Sequence, residues 1–146
     1  MKIRSVIGSA CAALAIALAT AAAAHGAGEV VTPNFSQPIT NIPGKSLIAV
    51  LVDYPPGAAS LPHVHAKSAF IYGYVISGAI QSQVNDGPRR VYRAGESFHE
   101  PPGASHPVSR NASEHEPAKL LAVFVVDTGD KALTTPVKNQ TSKAEK

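Results

Sequence analysis

Residues 57–78 read GAASLPHVHAKSAFIYGYVISG, and our interpretation of the whole chain starts from this stretch. It places His63 and His65 one residue apart in a run typical of a β-strand. Because successive side chains on a strand point to opposite faces, we expect the two imidazoles to share a face and converge on one point. Neutral imidazole is a common ligand of zinc, copper, iron and nickel. The pair therefore predicts part of a site for a divalent transition metal.

A third histidine follows a turn signal farther along the chain. Residues 95–111 read GESFHEPPGASHPVSRN, in which His106 comes shortly after Pro101-Pro102-Gly103. A Pro-Pro-Gly sequence favours a turn, so His106 lies just after one. His106 is therefore the third candidate ligand beside His63 and His65.

The first 24 residues have the pattern of a secretory signal peptide. Lys2 and Arg4 form a short positive region, residues 6–19 are apolar, and residues 21–24 are four alanines. Cleavage after Ala24 or Ala27 would remove Cys11, the one cysteine of the chain, so no disulfide is expected. The sequence thus predicts a periplasmic or secreted protein with no membrane attachment after cleavage.

The charge balance argues against nucleic acid as a partner. The chain has 13 Lys and Arg against 10 Asp and Glu, and loss of Lys2 and Arg4 would leave eleven basic residues. Arg89, Arg90 and Arg93 form the one basic cluster, next to a hairpin signal at Asn85-Asp86-Gly87. We interpret these arginines as solvated residues around a turn, since nothing else in the mature chain is strongly basic.

Short apolar runs separated by Gly, Pro and Asn-Asp-Gly predict an all-β sandwich or barrel. Residues 25–44 are predicted to form an extended lead-in with at most one short edge strand, near residues 29–32. Residues 45–127 would form the domain, beginning with the buried strand KSLIAVLVDY at 45–54. Residues 128–146 turn polar and are expected to form a poorly ordered tail. Further strands are predicted at 61–67, 69–77, 79–84, 89–92, 96–101, 106–109 and 119–126.

Two linked motifs in this chain resemble those of the cupin superfamily. Gly57, His63-Val64-His65 and Gly78 have the spacing of the first cupin motif, and Gly95, Pro101-Pro102-Gly103 and His106 that of the second. The resemblance covers about residues 45–126. It implies a small jelly-roll barrel, also called a double-stranded β-helix, with a ligand pocket in its mouth. It also implies that His63, His65 and His106 hold a divalent metal: iron, manganese, nickel, copper or zinc.

The chain departs from the family at one ligand. The first cupin motif also carries a glutamate, and here its position falls on Ala69, Phe70 or Ile71, all apolar. The asparagine of the second motif also comes one residue late, at Asn111. Three interpretations stay open: three histidines alone hold the metal, another donor completes the shell, or the site has lost its metal. The nearest other donors in sequence are Glu100, His99, Gln81 and Gln83.

A three-histidine site in an apolar barrel suits a small organic ligand. The expected lining includes Ile48, Val50, Val75 and Val123. Because three neutral ligands leave open positions on a metal, our leading hypothesis is a metal-dependent dioxygenase acting on a small organic molecule. The alternative is a non-enzymatic cupin that binds or senses a small molecule or the metal itself. No catalytic acid or base is evident, and an open sheet edge favours pairing into a homodimer.

Overall fold

The computed structural model of the protein describes residues 28–137, in which all the regular structure is β-strand. The predicted signal peptide, with Cys11, and the last residues of the polar tail lie outside this part of the chain. No helix in residues 28–137 is long and apolar enough to cross a bilayer. The strands are β1 Val30–Pro38, β2 Lys45–Tyr54, β3 His63–His65, β4 Phe70–Ser77, β5 Ala79–Gln83, β6 Arg90–Arg93, β7 Ser97–Glu100, β8 Ser105–His106, β9 Val108–Asn111, β10 Ala118–Asp127 and β11 Thr134–Pro136.

The strands form one large and two small sheets, all with antiparallel pairing. The large sheet has the order β1-β2-β10-β4-β7, and the small sheets have the orders β11-β3-β8 and β6-β5-β9. The long strands β2 and β10 pair along their whole length, from Lys45 opposite Asp127 to Tyr54 opposite Ala118. The prediction of an all-β fold is confirmed, and the central strand at 45–54 has the predicted bounds.

The core lies against the inner face of the large sheet, where side chains alternate between buried and partly exposed. On β10 the buried set is Ala118, Leu120, Ala122, Phe124 and Val126. Val75 and Ile80 are fully buried beside Leu120 in one of two hydrophobic clusters. The prediction that Val123 lines the barrel is wrong, because the period of two along β10 places it on the opposite face from Leu120 and Phe124.

The N-terminal edge strand is longer than the sequence suggested. β1 runs from Val30 to Pro38 and pairs with β2, with a register shift between Pro33 and Phe35. Proline is tolerated on an edge strand because its missing N–H leaves no ladder bond unmade on the open side. Pro33 and Pro38 are therefore compatible with a long strand at this edge.

Part of the C-terminal segment also joins a sheet. Residues 134–136, which the sequence analysis placed in a polar tail, form β11 and pair with β3. The pairing places Thr134 opposite His65, and the Val137 N–H donates to the Pro62 carbonyl. Main-chain hydrogen bonds form this contact, so the polar composition of the segment gave no sign of it.

A buried polar network ties the start of the described chain to the barrel. The Tyr54 hydroxyl lies 2.7 Å from Ser60 Oγ and 2.9 Å from Ser109 Oγ, and Ser60 Oγ donates to the Glu29 carboxylate. Tyr54 is 2% exposed. Burial and the nearby charge of Glu29 raise the pKa of Tyr54 well above its ordinary value of 10.0.

The raised pKa of Tyr54 predicts a loss of stability in alkali. Above about pH 10 the unfolded chain can ionise this phenol while the folded chain keeps it neutral, so the free energy of unfolding should fall as pH rises. We expect a wild-type slope up to about 1.4 kcal/mol per pH unit steeper than that of Tyr54→Phe. Urea titrations between pH 8 and 11 would measure it, with the exposed Tyr72→Phe as control. Equal slopes for wild type and Tyr54→Phe would contradict the prediction.

Gly73 on β4 packs closely against the aromatic ring of Phe98. Gly73 lies opposite Phe98 on β7, and a Cβ there would come within 2.7 Å to 2.9 Å of three atoms of the Phe98 ring. Real Cβ atoms essentially never make contacts this short, so a side chain at residue 73 would have to displace the ring. Gly73 thus lets β4 pass directly beneath the aromatic side chain of Phe98.

Replacing Gly73 by alanine should destabilise the protein. The added methyl group would force the buried Phe98 ring to move, at a cost of about 1–3 kcal/mol in the free energy of unfolding. Gly129→Ala is the matched control, since no atom lies within 4 Å of its added Cβ. Urea unfolding of both variants would test this, and a Gly73→Ala variant as stable as wild type would refute it.

Candidate metal centre

Two short paired strands bring the three predicted histidines together. His63 and His65 lie at the two ends of β3 with buried side chains, and Val64 between them is 37% exposed. His106, on β8, is the cross-strand partner of His63. Residues directly opposite each other in an antiparallel pair present their side chains on the same face. Strand alternation and the β3–β8 register therefore place all three rings at one point.

The three rings form a compact buried cluster with the donor set that a divalent transition metal prefers. One ligand nitrogen from each residue lies within 4.8 Å of the other two. The ring centroids are 4.7 Å apart for His63 and His65, and 5.2 Å apart for His63 and His106. All three residues are less than 8% exposed. The predicted ligand residues are thus brought together, with spacing close enough to share one ion.

Each histidine has one ring nitrogen held by the surrounding chain. Nδ1 of His63 lies 2.7 Å from the Leu61 carbonyl oxygen, and Nδ1 of His65 lies 3.2 Å from that of Leu133. Because a carbonyl oxygen only accepts, Nδ1 carries the proton in both rings, and Nε2 of the neutral ring keeps a free lone pair. Nε2 of His106 lies 2.8 Å from Ser82 Oγ, which leaves its Nδ1 for the cluster. Such partners orient the histidines of metal sites.

A buried carboxylate from the opposite sheet joins the cluster. Oε2 of Glu100 lies 3.0 Å from Nε2 of His65 and 3.2 Å from Nδ1 of His106, and the Glu100 side chain is 4% exposed. These separations suit an ion pair, but their directions do not suit a hydrogen bond. Among residues 28–137, neither Nε2 of His65 nor Oε2 of Glu100 has a hydrogen-bond partner. Buried polar atoms without a partner are rare and costly, and a cation between these atoms would satisfy both.

The electrostatics keep the cluster in the form that binds metal. Burial lowers the pKa of His63 to about 4, so this ring is neutral at pH 7. Burial alone would raise the pKa of Glu100, but its contacts with His106 and His65 outweigh burial and lower the pKa to about 2. Neutral imidazole and ionised carboxylate are the states in which these groups bind divalent metals. The residues present therefore fit a divalent transition metal.

The other donors proposed from the sequence point away from the cluster. On β7 the period of two buries Phe98 and Glu100 and exposes His99, whose ring stacks on Phe70 at 5.8 Å. On β5 the buried residues are Ile80 and Ser82, so Gln81 and Gln83 face the other way. Gln83 instead binds the Gly87 carbonyl and Arg89 in the hairpin. Of the four extra candidates, Glu100 alone meets the histidines.

Two contributors to the site were missed in the sequence. Ser82 contacts His106, and the Leu133 carbonyl fixes His65 from the segment taken to be an unordered tail. A serine in a strand carries no signal of a metal site, and a backbone carbonyl carries none at all. Because side chains alternate along a strand, Ser82 could have been predicted to face the interior once another inward-facing residue of β5, such as Ile80, was known.

Aromatic side chains pack against the histidines, and a cavity lies beyond two of the residues that contact them. Phe124 lies 5.7 Å from His65 and Phe98 lies 6.1 Å from His106, both in edge-to-face contact. A cavity of about 330 Å³ is lined by Ser82 and Phe98, which contact His106, but not by the histidines of the cluster. Its other walls include Arg90, Tyr92 and Ser97. This volume is at the lower end of the range for small-molecule sites.

Comparison with solved structures finds proteins of similar architecture. A protein from Thermus thermophilus is 24% identical, covers 73% of this chain and 90% of its own, and has a TM-score of 0.56. An uncharacterised double-stranded β-helix protein from Klebsiella pneumoniae is 20% identical, with coverages of 74% and 85% and a TM-score of 0.58. An oxalate oxidase in complex with the substrate analogue glycolate is 27% identical, with a TM-score of 0.53. The match covers 68% of this chain but 51% of the oxalate oxidase.

A comparison with curated proteins finds no match. The family model described as the cupin domain, however, matches residues 50–124, which is more than half of the chain. The matched segment runs from β2 to β10 and includes the three buried histidines. The resemblance drawn from the two histidine motifs is thereby confirmed, as is the all-β double-stranded β-helix that it implied. The chain belongs to the cupin family.

Proposed function

We propose that this cupin domain is a metal-dependent enzyme, a dioxygenase or related oxidoreductase, that uses dioxygen to oxidise a small organic acid. The observation that carries the proposal is the convergence of three buried imidazoles, His63, His65 and His106, each with one ring nitrogen fixed from behind. A divalent metal bound there would supply a Lewis acid and a place for dioxygen and substrate to meet.

The surrounding residues orient the ligands and keep water out. The Leu61 and Leu133 carbonyls hold the rings of His63 and His65 in the tautomer with Nε2 unprotonated. Ser82 holds the ring of His106 from the cavity side. Phe98 and Phe124 pack against the cluster and leave little room for bulk solvent. An enclosed site of this kind strengthens electrostatic interactions and protects reactive species from side reactions.

The cavity lined by Ser82 and Phe98, which contact His106, supports an anionic substrate. Arg90 brings a positive charge to its wall, and Tyr92 and Ser97 add hydroxyl groups. A guanidinium is suited to carboxylate recognition because it donates two parallel hydrogen bonds. The likeness to an oxalate oxidase that binds glycolate agrees with a small carboxylic acid as the substrate class. We further propose that the protein acts after export, in the periplasm or outside the cell, and forms homodimers.

Oxygen consumption by the metal-loaded protein tests the catalytic proposal. We expect uptake of dioxygen that depends on one of a panel of small organic acids, with product formed aerobically and not anaerobically. Saturable binding of an acid with no turnover under either condition would reject the enzyme and favour the alternative, a binding or sensing cupin. Product analysis with labelled dioxygen would separate a dioxygenase, which incorporates both oxygen atoms into the organic product, from an oxidase.

The histidine cluster predicts stoichiometric metal that depends on its members. Protein purified without added chelator should contain about one transition-metal ion per chain, and His63→Ala and His106→Ala should each reduce this to background, because the ligand set is then incomplete. Elemental analysis by mass spectrometry would measure the content. His115→Ala, an exposed loop histidine, is the control and should retain the metal. Metal-free wild-type protein that also fails to take up added metal would reject the site.

Arg90 predicts a preference for carboxylates. Arg90→Gln should weaken binding of oxalate or glycolate to the metal-loaded protein roughly fivefold, because an exposed charge-assisted contact contributes about 1 kcal/mol. Arg93→Gln is the matched control, since Arg93 is also exposed but does not line the cavity. Isothermal titration calorimetry on the three proteins would give the dissociation constants. Equal weakening of acid binding by both substitutions would contradict a direct contact with Arg90, because it would show that only the overall positive charge of the protein affects binding.

A further inference from the structure

The strand that carries the family's glutamate offers no carboxylate in this protein. The candidate positions on and before β4 are Ala69, Phe70 and Ile71. Phe70 is 43% exposed, whereas Ala69 and Ile71 are buried and face the interior. The two inward positions therefore carry methyl and branched alkyl groups that cannot bind a metal.

The neighbouring strand β7 carries a carboxylate directly opposite one of these two positions. Ile71 on β4 is the direct cross-strand partner of Glu100 on β7. Cross-strand partners in an antiparallel pair present their side chains on the same face of the sheet. Glu100 therefore enters the interior one strand away from the position that the family motif would use, and it is 3% exposed.

The distances from Glu100 to the histidines are those of donors that share one ion. Ligand atoms about 2.1 Å from a common metal, at roughly right angles, lie about 3 Å from one another. Oε2 of Glu100 is 3.0 Å from Nε2 of His65 and 3.2 Å from Nδ1 of His106. Neither Nε2 of His65 nor Oε2 of Glu100 has a hydrogen-bond partner among residues 28–137, and a cation shared by the two atoms would satisfy both.

From this geometry we propose that Glu100 is the fourth protein ligand of the metal, a carboxylate relocated from β4 to the adjacent strand β7. The inference rests on the proposed function only in requiring that the histidine cluster binds a metal. It makes the centre one of three histidines and one carboxylate. The carboxylate cancels one of the two positive charges of a divalent ion, so it favours retention of the metal in an otherwise apolar interior.

Binding of Co²⁺ to the metal-free full chain tests the assignment, because Co²⁺ reports its ligands through visible absorption. Glu100→Gln keeps the size of the side chain and removes its charge. We expect it to weaken Co²⁺ binding about tenfold or more, since even outer partners of a metal site have effects of that size. The absorption bands of the remaining complex should shift, because one ligand has changed. Glu116→Gln, an exposed glutamate, is the matched control and should alter neither.

The outcomes separate this inference from the proposed function. If wild-type protein binds no Co²⁺, both fail. If wild type binds Co²⁺ and Glu100→Gln binds it within about twofold, or more weakly but with unchanged bands, then the metal site stands and Glu100 is not a ligand. Circular dichroism and thermal melting of Glu100→Gln would establish that weaker binding does not come from unfolding.

Exchange of the two cross-strand partners gives an independent test. The double variant Ile71→Glu with Glu100→Ile keeps the same pair of side chains and moves the carboxylate to β4, at one of the two inward-facing candidate positions of the family motif. We expect it to bind Co²⁺ more tightly than the single variant Glu100→Ile, which has no carboxylate at either position. A folded double variant that binds no better than Glu100→Ile would contradict the relocation. If the double variant does not fold, the Glu100→Gln measurement decides.

Discussion

The need to satisfy buried polar side chains governs the centre of this protein. Three imidazoles and one carboxylate are enclosed between apolar sheets, where an unpaired polar group costs several kcal/mol. One nitrogen of each ring is satisfied by the chain, through Leu61, Leu133 and Ser82. One ligand nitrogen from each ring lies within 4.8 Å of the other two, and Oε2 of Glu100 lies 3.0 Å from His65 and 3.2 Å from His106. The packing therefore leaves buried polar atoms that a cation would satisfy.

The two sides of the barrel contribute different donors to this centre. The histidines come from the small sheet of β3 and β8, and Glu100 comes from the edge strand β7 of the large sheet. Neither sheet alone carries the full set. The aromatic rings of Phe98 and Phe124 pack beside the cluster, so the same side chains contribute to the hydrophobic core and to the surroundings of the centre. A bound metal would in turn stabilise the contact between the sheets, because it binds the folded state alone.

The pairing of His63 with His65 could be predicted from the sequence because its cause is local: an H-x-H pair on a strand has one geometry. His106 joins the pair through the long-range pairing of β8 with β3, and the spacing of the second cupin motif identified it. The sequence could not show which of Glu100, His99, Gln81 and Gln83 lies near the histidines. The answer depends on which alternate residues of β5 and β7 face the interior. The inward-facing residues are set by pairing with strands distant in sequence, for example by Ile71 opposite Glu100. The wrong prediction for Val123 and the failure to predict β11 have the same origin. Local composition does not show which residues of β10 face the interior, nor that residues 134–136 pair with β3 through their main chain.

The hydrogen bond between His65 and Leu133 spans 68 residues, so it can form only after nearly all of residues 28–137 have been synthesised. The H-x-H pair leaves the ribosome long before His106, and the carbonyl that fixes the tautomer of His65 is among the last groups of the domain to appear. The full support of the His65 ring is therefore present only after residues 134–136 have paired with β3, so synthesis reaches the far end of the described residues before the histidine cluster has its final surroundings.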